Sequence, residues 1–579
     1  MIATASVGSG TEFGLLSTWI FLFKIKAMIN RVLNSKTKTV TFAVFLLALS
    51  GFFSRLLGLL RDNLLANLFP KSQTDIYFAA FRIPDFIYGI LITGGIVAAF
   101  LPVFAESFKK DPAQAKSLTN NVLTIFLLGL VLISSILAIF TPQLIEVITP
   151  GFSPSQKALT GTLTRIMFLS PILLGISSIF SSILQYFNLF FAYALAPIFY
   201  NLGIIFGILF LSQIFGLKGL AFGVILGAFL HLLIQIPPFL KAGFSPRFSF
   251  NFRSEALKKI LKLMTPRIIG TAAYQINLIV ITAIASTLSV GAISVFNFSN
   301  NLQYVPIGLI GISFATATFP LFSRVFAEND KEKFSKSFSS IFSQILFLII
   351  PLSCLIFLFR AHLVRLILGT SILGEGYFGW FQIRLTAASL GIFSFSLFAA
   401  CLSPFLARIF FSIQDTRTPV KISVLSMVLN IILCFLFVWL LSFPNFFHET
   451  IINFLKLGDI KDISVIALPL ALSISAIFEF FCLTLILKRK IKTLNFQEIY
   501  FSLRKILLAT FLMAVFTYLT LQIAALSLNT AKVLGLFLQT TLAALVGVFS
   551  YFLLSFLLGL KEPKNIFSSI LIQFKKPQK

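Results

Sequence analysis

Five ionisable side chains, Arg55, Arg61, Asp62, Asp75 and Arg82, punctuate the first two long apolar stretches of the chain. The first group reads Phe53-Ser54-Arg55-Leu56-Leu57-Gly58-Leu59-Leu60-Arg61-Asp62. A charge at bilayer depth costs roughly 2.5–3.5 kcal/mol on insertion scales, so such residues face a bundle interior or a water-filled cavity. At about 100° per residue, Ser54, Gly58 and Arg61 share one helical face, with Arg55 and Asp62 on the neighbouring one. Both arginines can then point into one cavity, with Gly58 leaving room between them. Asp75 and Arg82 share a face in the same way, and Asp85 follows across Pro84. A guanidinium fork matches phosphate oxygens two at a time, and nearby carboxylates orient it. The pattern therefore points to binding of a diphosphate group. The competing reading is an Arg–Asp network that locks helix 1 to helix 2, with Arg82–Asp85 its best candidate, or Arg61 and Asp62 sitting at the outer interface.

The elements that must position these residues are membrane helices. The chain has 579 residues, 58% hydrophobic and 11% charged, with a mean hydropathy of +0.98. Apolar runs of about 20 residues, the length a bilayer requires, recur along nearly all of it. About fourteen candidate spans result, so the expected fold class is an all-α integral membrane protein. The formal net charge of +27 is explained by basic loops facing an anionic leaflet. No basic patch with interleaved aromatics stands apart from the spans, which argues against nucleic acid as a partner.

Alternate loops carry the basic residues: Lys109, Lys110 and Lys116; Lys241, Arg247, Arg253, Lys258 and Lys259; Arg324, Lys331, Lys333 and Lys336; Arg417 and Lys421; Lys488 to Lys492. The positive-inside rule places both termini in the cytoplasm. Residues 1–37 form an N-terminal extension. Phe13–Phe23 is too short to span, and its basic residues follow it, the wrong order for a signal peptide. It is either an interfacial helix or lies upstream of a true start at Met28.

A short repeat links span 2, ending Ala99-Phe100-Leu101-Pro102-Val103-Phe104, to span 8, ending Thr318-Phe319-Pro320-Leu321-Phe322. Parallel repeats of this kind imply two six-helix lobes around a central cavity, at 38–243 and 255–488. Two further helices lie within 500–560, and 561–579 is a basic tail. Gly219, Gly223 and Gly227, four apart, read as a close-packing face. Weaker polar points within spans include Arg165, Asn201, Arg267, Gln275, Asn277, Ser294, Asn300, Asn301, Gln303, Arg384, Arg408 and Glu479. The four cysteines and three histidines show no metal spacing or redox pairing. There is no phosphate-cradling loop or nucleophile motif, so an enzyme is not expected. No cofactor is expected either, and movement would draw on an ion gradient or the membrane potential.

These residues resemble a known family. The run 53–62, then Thr74-Asp75 and Phe81-Arg82-Ile83-Pro84-Asp85, looks like the start of the MurJ/MviN lipid II flippases. Pro266-Arg267-Ile268-Ile269-Gly270 with Gln275-Ile276-Asn277 resembles their seventh helix, and Arg408 to Lys421 their helix 10–11 loop. The resemblance covers residues 40–560. It implies a multidrug/oligosaccharidyl-lipid/polysaccharide exporter fold that moves a polyprenyl-diphosphate-linked peptidoglycan precursor across a bacterial inner membrane by alternating access. It further implies that Arg55 and Arg61 grip the diphosphate, that Asp62 and Asp75 orient them, and that Ser54 and Ser294 line the cavity. Helices 13 and 14 would form a groove for the lipid tail. The chain departs from the family where Asn301 replaces a third cavity arginine and where Tyr88 and Gly89 replace basic residues. Ile281 and Cys434 replace acids of a sodium site. The grip would then rest mainly on the first lobe, with Arg82 and Arg267 assisting. The expected partners are the lipid-linked precursor and membrane lipids, for a protein acting as a monomer or within a cell-wall synthesis complex. The alternatives are a flippase for another lipid-linked oligosaccharide, a cation-coupled drug exporter on the same fold, and a membrane scaffold without transport.

Overall fold

The computed structural model describes residues 40–371 and 376–564. The expected N-terminal extension 1–37 and residues 565–579 of the expected basic tail lie outside the described residues. Every long element is a helix, and among the described residues there is no strand.

In chain order the long helices are α1 (Val40–Leu68), α2 (Lys71–Lys110), α3 (Pro112–Ile139), α4 (Pro154–Tyr186), α5 (Phe190–Phe215), α6 (Lys218–Lys241) and α7 (Glu255–Ser286). They continue as α8 (Ala292–Ala327), α9 (Lys331–Ile367), α10 (Trp380–Ser412), α11 (Arg417–Leu441), α12 (Ser464–Lys490), α13 (Phe496–Ser527) and α14 (Val533–Leu557). Among the described residues, 12 helices are long and apolar enough to cross a membrane, or 13 with bent α7 taken as one span. The 29-residue α1 stands beside these and carries Arg55, Arg61 and Asp62.

Local sequence sets the helix ends. Ser153 and Gln156 form a capping box at the start of α4 with Pro154 in the first turn, where its missing N–H costs nothing. Ser254, Asp330 and Asn495 cap α7, α9 and α13 through their side chains. Between Thr265 and Gly270, across Pro266, α7 bends by 50°, as expected where a proline removes a backbone donor.

Two π-helical stretches interrupt helices at corresponding places. Tyr88–Ile96 lies within α2 after Pro84, and Ile307–Ile312 lies within α8 after Pro306. Each precedes the matching Pro102 or Pro320 by about two turns. Such stretches favour functional sites because they leave carbonyls short of intrahelical partners.

On α6, Gly219, Gly223 and Gly227 pack against Gly203 and Gly207 of α5. A Cβ on Gly223 would sit 2.6 Å from the Gly207 Cα, so the helices touch backbone to backbone.

Three large apolar cores hold the bundle among the described residues, beside a small one of Phe359, Leu521 and Ala543 from α9, α13 and α14. One unites α2–α6 and the first half of α7. A second unites α8–α10 and α12–α14. The third crosses between the lobes, joining Leu65, Ile76 and Phe78 to Phe298, Phe378 and Phe393. Every hydrogen bond described between α1–α4 and the segment 291–377 comes from residues 55–82. The lobes are thus tied mainly in the half away from the basic loops; in the other half, among the described residues, the 247–251 segment bonds to α3 and Lys259 of α7 bonds to Glu106 of α2. Helices α13 and α14 pair with each other and lie on α9, where the Tyr551 hydroxyl donates to the Phe347 carbonyl at 2.8 Å.

Candidate functional site

Between the lobes lies a cavity of about 520 Å³ lined from α1, α2, α4–α8. Its charged lining residues are Arg61, Arg82 and Asp85. Arg61 donates through Nε and Nη2 to Asp62 Oδ1, at 3.0 and 2.8 Å. Asp62 Oδ2 accepts from the Asn301 amide of α8 at 2.8 Å, so one buried carboxylate orients the arginine and ties the lobes together. Arg61 Nη1 reaches Asn201 Oδ1 of α5 at 3.4 Å, and the Asn201 amide donates to the Ser54 hydroxyl at 3.2 Å. Gly58 makes room for that asparagine, since a Cβ there would first meet Asn201 Oδ1. The expected gap between two arginines is therefore filled by Asn201.

Arg82 crosses the seam as well. Its Nε donates to Thr282 Oγ1 of α7 at 2.7 Å, and its Nη2 donates to Asn297 of α8. It forms no ion pair with Asp85, whose carboxylate faces Arg82 and Arg61 without a hydrogen bond among the described residues. Two guanidinium groups and two carboxylates, Asp62 and Asp85, leave the site near neutral, and guanidinium N–H donors not taken up by Asp62 are what an entering anion could engage.

Other expected residues fall elsewhere. Arg55 donates to the Val305 carbonyl of α8 at 2.5 Å, with its guanidinium against Gly308 at the π stretch. It is not among the residues that line the Arg61 cavity. Asp75 orients no arginine. Its carboxylate accepts the Gly291 N–H at 2.6 Å, the Ser294 N–H at 2.8 Å and the Ser294 hydroxyl at 2.5 Å. It therefore caps the positive N-terminus of α8. Ser294 is buried in that contact and does not line the cavity. Arg267 is exposed on α7, where its charge faces Arg408 of α10. Arg267 is not among the residues that line the Arg61 cavity.

Sequence reasoning missed the aromatic wall. Tyr77, Tyr88, Tyr200, Tyr274 and Tyr304 all line the cavity. The chain has 11 tyrosines against 72 phenylalanines, but these five share no spacing, so their convergence could not be read from the sequence. Tyrosine rings combine an apolar face with a polar edge, a surface suited to sugar rings. Tyr274, Asn300 and Tyr304 also border a second chamber of about 400 Å³ in the other lobe, lined by Asn277, Gln303, Ser426, Ser475 and Glu479. There Asn277 Oδ1 accepts from the Asn430 amide at 2.6 Å. Among the described residues no group of three His, Cys, Asp or Glu converges as metal ligands would.

Known proteins share this architecture. The sequence model of the family described as "Lipid II flippase MurJ" matches residues 64–537, a range that begins just after the Ser54–Asp62 run. A probable lipid II flippase MurJ of Buchnera aphidicola subsp. Acyrthosiphon pisum is 32% identical over 389 residues, covering 66% of this chain and 75% of the relative. The lipid II flippase MurJ of Burkholderia cenocepacia is 29% identical over 392 residues, with 66% and 75% covered. A solved lipid II flippase MurJ in an inward closed conformation aligns with a TM-score of 0.68 at 23% identity, covering 91% of this chain and 100% of that one. An inward-facing MATE transporter of the MOP superfamily aligns with a TM-score of 0.60 at 15% identity, covering 76% of this chain and 95% of that one. At these identities the structural likenesses speak for the fold, and the sequence matches settle the family: this chain belongs to the lipid II flippase MurJ family.

Proposed function

We propose that the protein carries lipid II, the polyprenyl-diphosphate-linked peptidoglycan precursor, from the cytoplasmic to the outer leaflet by alternating access. The observation that carries this reading is the Arg61–Asp62–Asn301 bridge in a tyrosine-walled cavity between two lobes. In this reading Arg61 and Arg82 hold the diphosphate, Asp62 and Asp85 orient the guanidinium groups, and the tyrosines receive the sugars. Arg55, braced on the α8 carbonyl, guides the anion inward. Both termini are cytoplasmic, and the outer face of α13 and α14 takes the lipid tail. The protein acts as a monomer, alone or within a cell-wall synthesis complex.

Alternation requires the seam at Asp75, Asn63 and Asn67 to open while the half near the basic loops closes. Movement draws on an ion gradient or the membrane potential, with Glu479 of the second chamber as the residue best placed to sense a cation. A cation-coupled drug exporter would concentrate acids, not arginines, in its main cavity.

The test is transport in proteoliposomes of lipid II against a polyprenyl-diphosphate sugar lacking the peptide. Preferential movement of lipid II supports the assignment. Equal movement of both widens the substrate class to other lipid-linked oligosaccharides. Movement of neither, by correctly inserted protein, points to the scaffold reading.

A further inference from the structure

The connection from α6 to α7 does not span the membrane, yet it is strongly apolar on one side. Phe248, Phe250 and Phe252 are 80%, 62% and 66% exposed. They alternate with Arg247, Ser249, Asn251 and Arg253. The alternation is built in by hydrogen bonding. The Arg247, Ser249 and Asn251 N–H groups donate to Asn120 Oδ1, Thr124 Oγ1 and Asn121 Oδ1 of α3, at 3.2, 3.0 and 2.8 Å. The Asn121 amide returns a bond to the Asn251 carbonyl at 2.8 Å. A two-residue period is that of an extended chain, which sends successive side chains to opposite sides. Phe244 anchors the start of the segment, buried beside Phe104, Phe187 and Phe239.

The strap is therefore fastened to α3 through its odd residues and presents its even phenylalanines outward. Its surroundings are basic. Lys241, Arg247, Arg253, Lys258, Lys259 and Lys262 stand within the same stretch as a single acid, Glu255. Irregular backbone is excluded from the hydrocarbon core because its polar groups would lack partners. Aromatic rings and basic side chains are stable at the headgroup level.

We infer that the 244–254 strap is an interfacial anchor that inserts Phe248, Phe250 and Phe252 into an anionic phospholipid headgroup layer, fixing the hinge between the lobes to the membrane surface. The flanking lysines and arginines supply the charge complementarity, and the α3 side chains satisfy the backbone that such a position would otherwise leave unpaired.

The experiment compares wild type with Phe250→Trp in vesicles of phosphatidylcholine mixed with phosphatidylglycerol. One lipid at a time carries bromine, either near the headgroup end or near the terminus of its acyl chains. Wild-type emission is subtracted to remove the native tryptophans. We expect the added tryptophan to be quenched at least twofold more by bromine near the headgroup than at the chain end. We also expect quenching to be stronger when phosphatidylglycerol carries the bromine. Quenching by aqueous iodide with none by brominated lipid would overturn the anchor and leave the strap as a surface for a soluble protein. Quenching that does not distinguish the two lipids would overturn its preference for anionic headgroups. A second variant, Phe248→Ser/Phe250→Ser/Phe252→Ser, should insert normally but transport several-fold more slowly. Unchanged transport would overturn the hinge-fixing role.

Discussion

The Asp75 carboxylate and Ser294 meet across the seam between the lobes, with Asp75 Oδ1 accepting both the Ser294 N–H at 2.8 Å and its hydroxyl at 2.5 Å. A carboxylate at the N-terminus of a long helix gains from both the unpaired N–H groups and the helix dipole. Asn63 and Asn67 strengthen the same seam by donating to the Ile367, Thr370 and Leu368 carbonyls. This half of the molecule is closed by polar contacts that can break and reform, laid over the shared apolar core.

Asp75→Ala should therefore shift the protein toward opening on that side. Hydrogen bonds to a charged group contribute about 1.5–3 kcal/mol each, so losing them should raise thiol labelling of a cysteine placed at the buried Ala292 about 10-fold or more. Transport should fall as well. Unchanged labelling would mean that the apolar core alone keeps the seam closed.

Arg61→Lys should impair transport nearly as much as Arg61→Ala. Asp62 engages two nitrogens of the fork, and an ammonium cannot hold that geometry while offering a second donor to a phosphate. A transport rate within about twofold of wild type for the lysine variant would show that charge alone suffices.

Some of this arrangement was legible in the sequence, for stated reasons. Arg61, Asp62 and Arg82 stood out because charge in an apolar helix has few explanations, and all three line the cavity or hold a group that does. Asp75 was equally visible, but its partners lie 216 and 219 residues away, beyond anything periodicity reports. Arg267 was expected to assist the grip, but it sits next to the α7 bend and outside the cavity lining, a placement that a linear pattern cannot give. The five tyrosines come from α2, α5, α7 and α8 and share no spacing. The chain has 11 tyrosines, and nothing in the sequence sets these five apart from the rest.

Tyr274 and Tyr304 border both chambers. Tyr274→Ala and Tyr304→Ala should each slow transport about 3- to 10-fold, the range that an aromatic contact of about 0.5–1.5 kcal/mol allows. Their Phe variants should stay near wild type if ring stacking is what matters. Initial rates in proteoliposomes at matched protein content decide this.

Asp415 lies in the α10–α11 connection, outside the spans. Burial raises its pKa, but hydrogen bonds from Lys490 and from the hydroxyl and N–H of Thr418 outweigh this and hold it at about 2. A folded value below the unfolded value of about 3.9 stabilises the protein above that pH, and the contribution is lost as pH falls through about 2. Asp415→Asn should lower the melting temperature in detergent at pH about 7, and the gap from wild type should narrow below about pH 4. A gap independent of pH would show that shape, not charge, accounts for the loss.

The central claim is that the guanidinium groups of Arg61 and Arg82 receive the substrate's diphosphate. Its most direct test is complementation of a bacterium depleted of its own lipid II flippase, by wild type and by Arg61→Ala/Arg82→Ala at equal membrane levels. Rescue by wild type and failure of the double variant is the predicted result. Equal rescue by both would contradict the claim and make these arginines structural ties between the lobes.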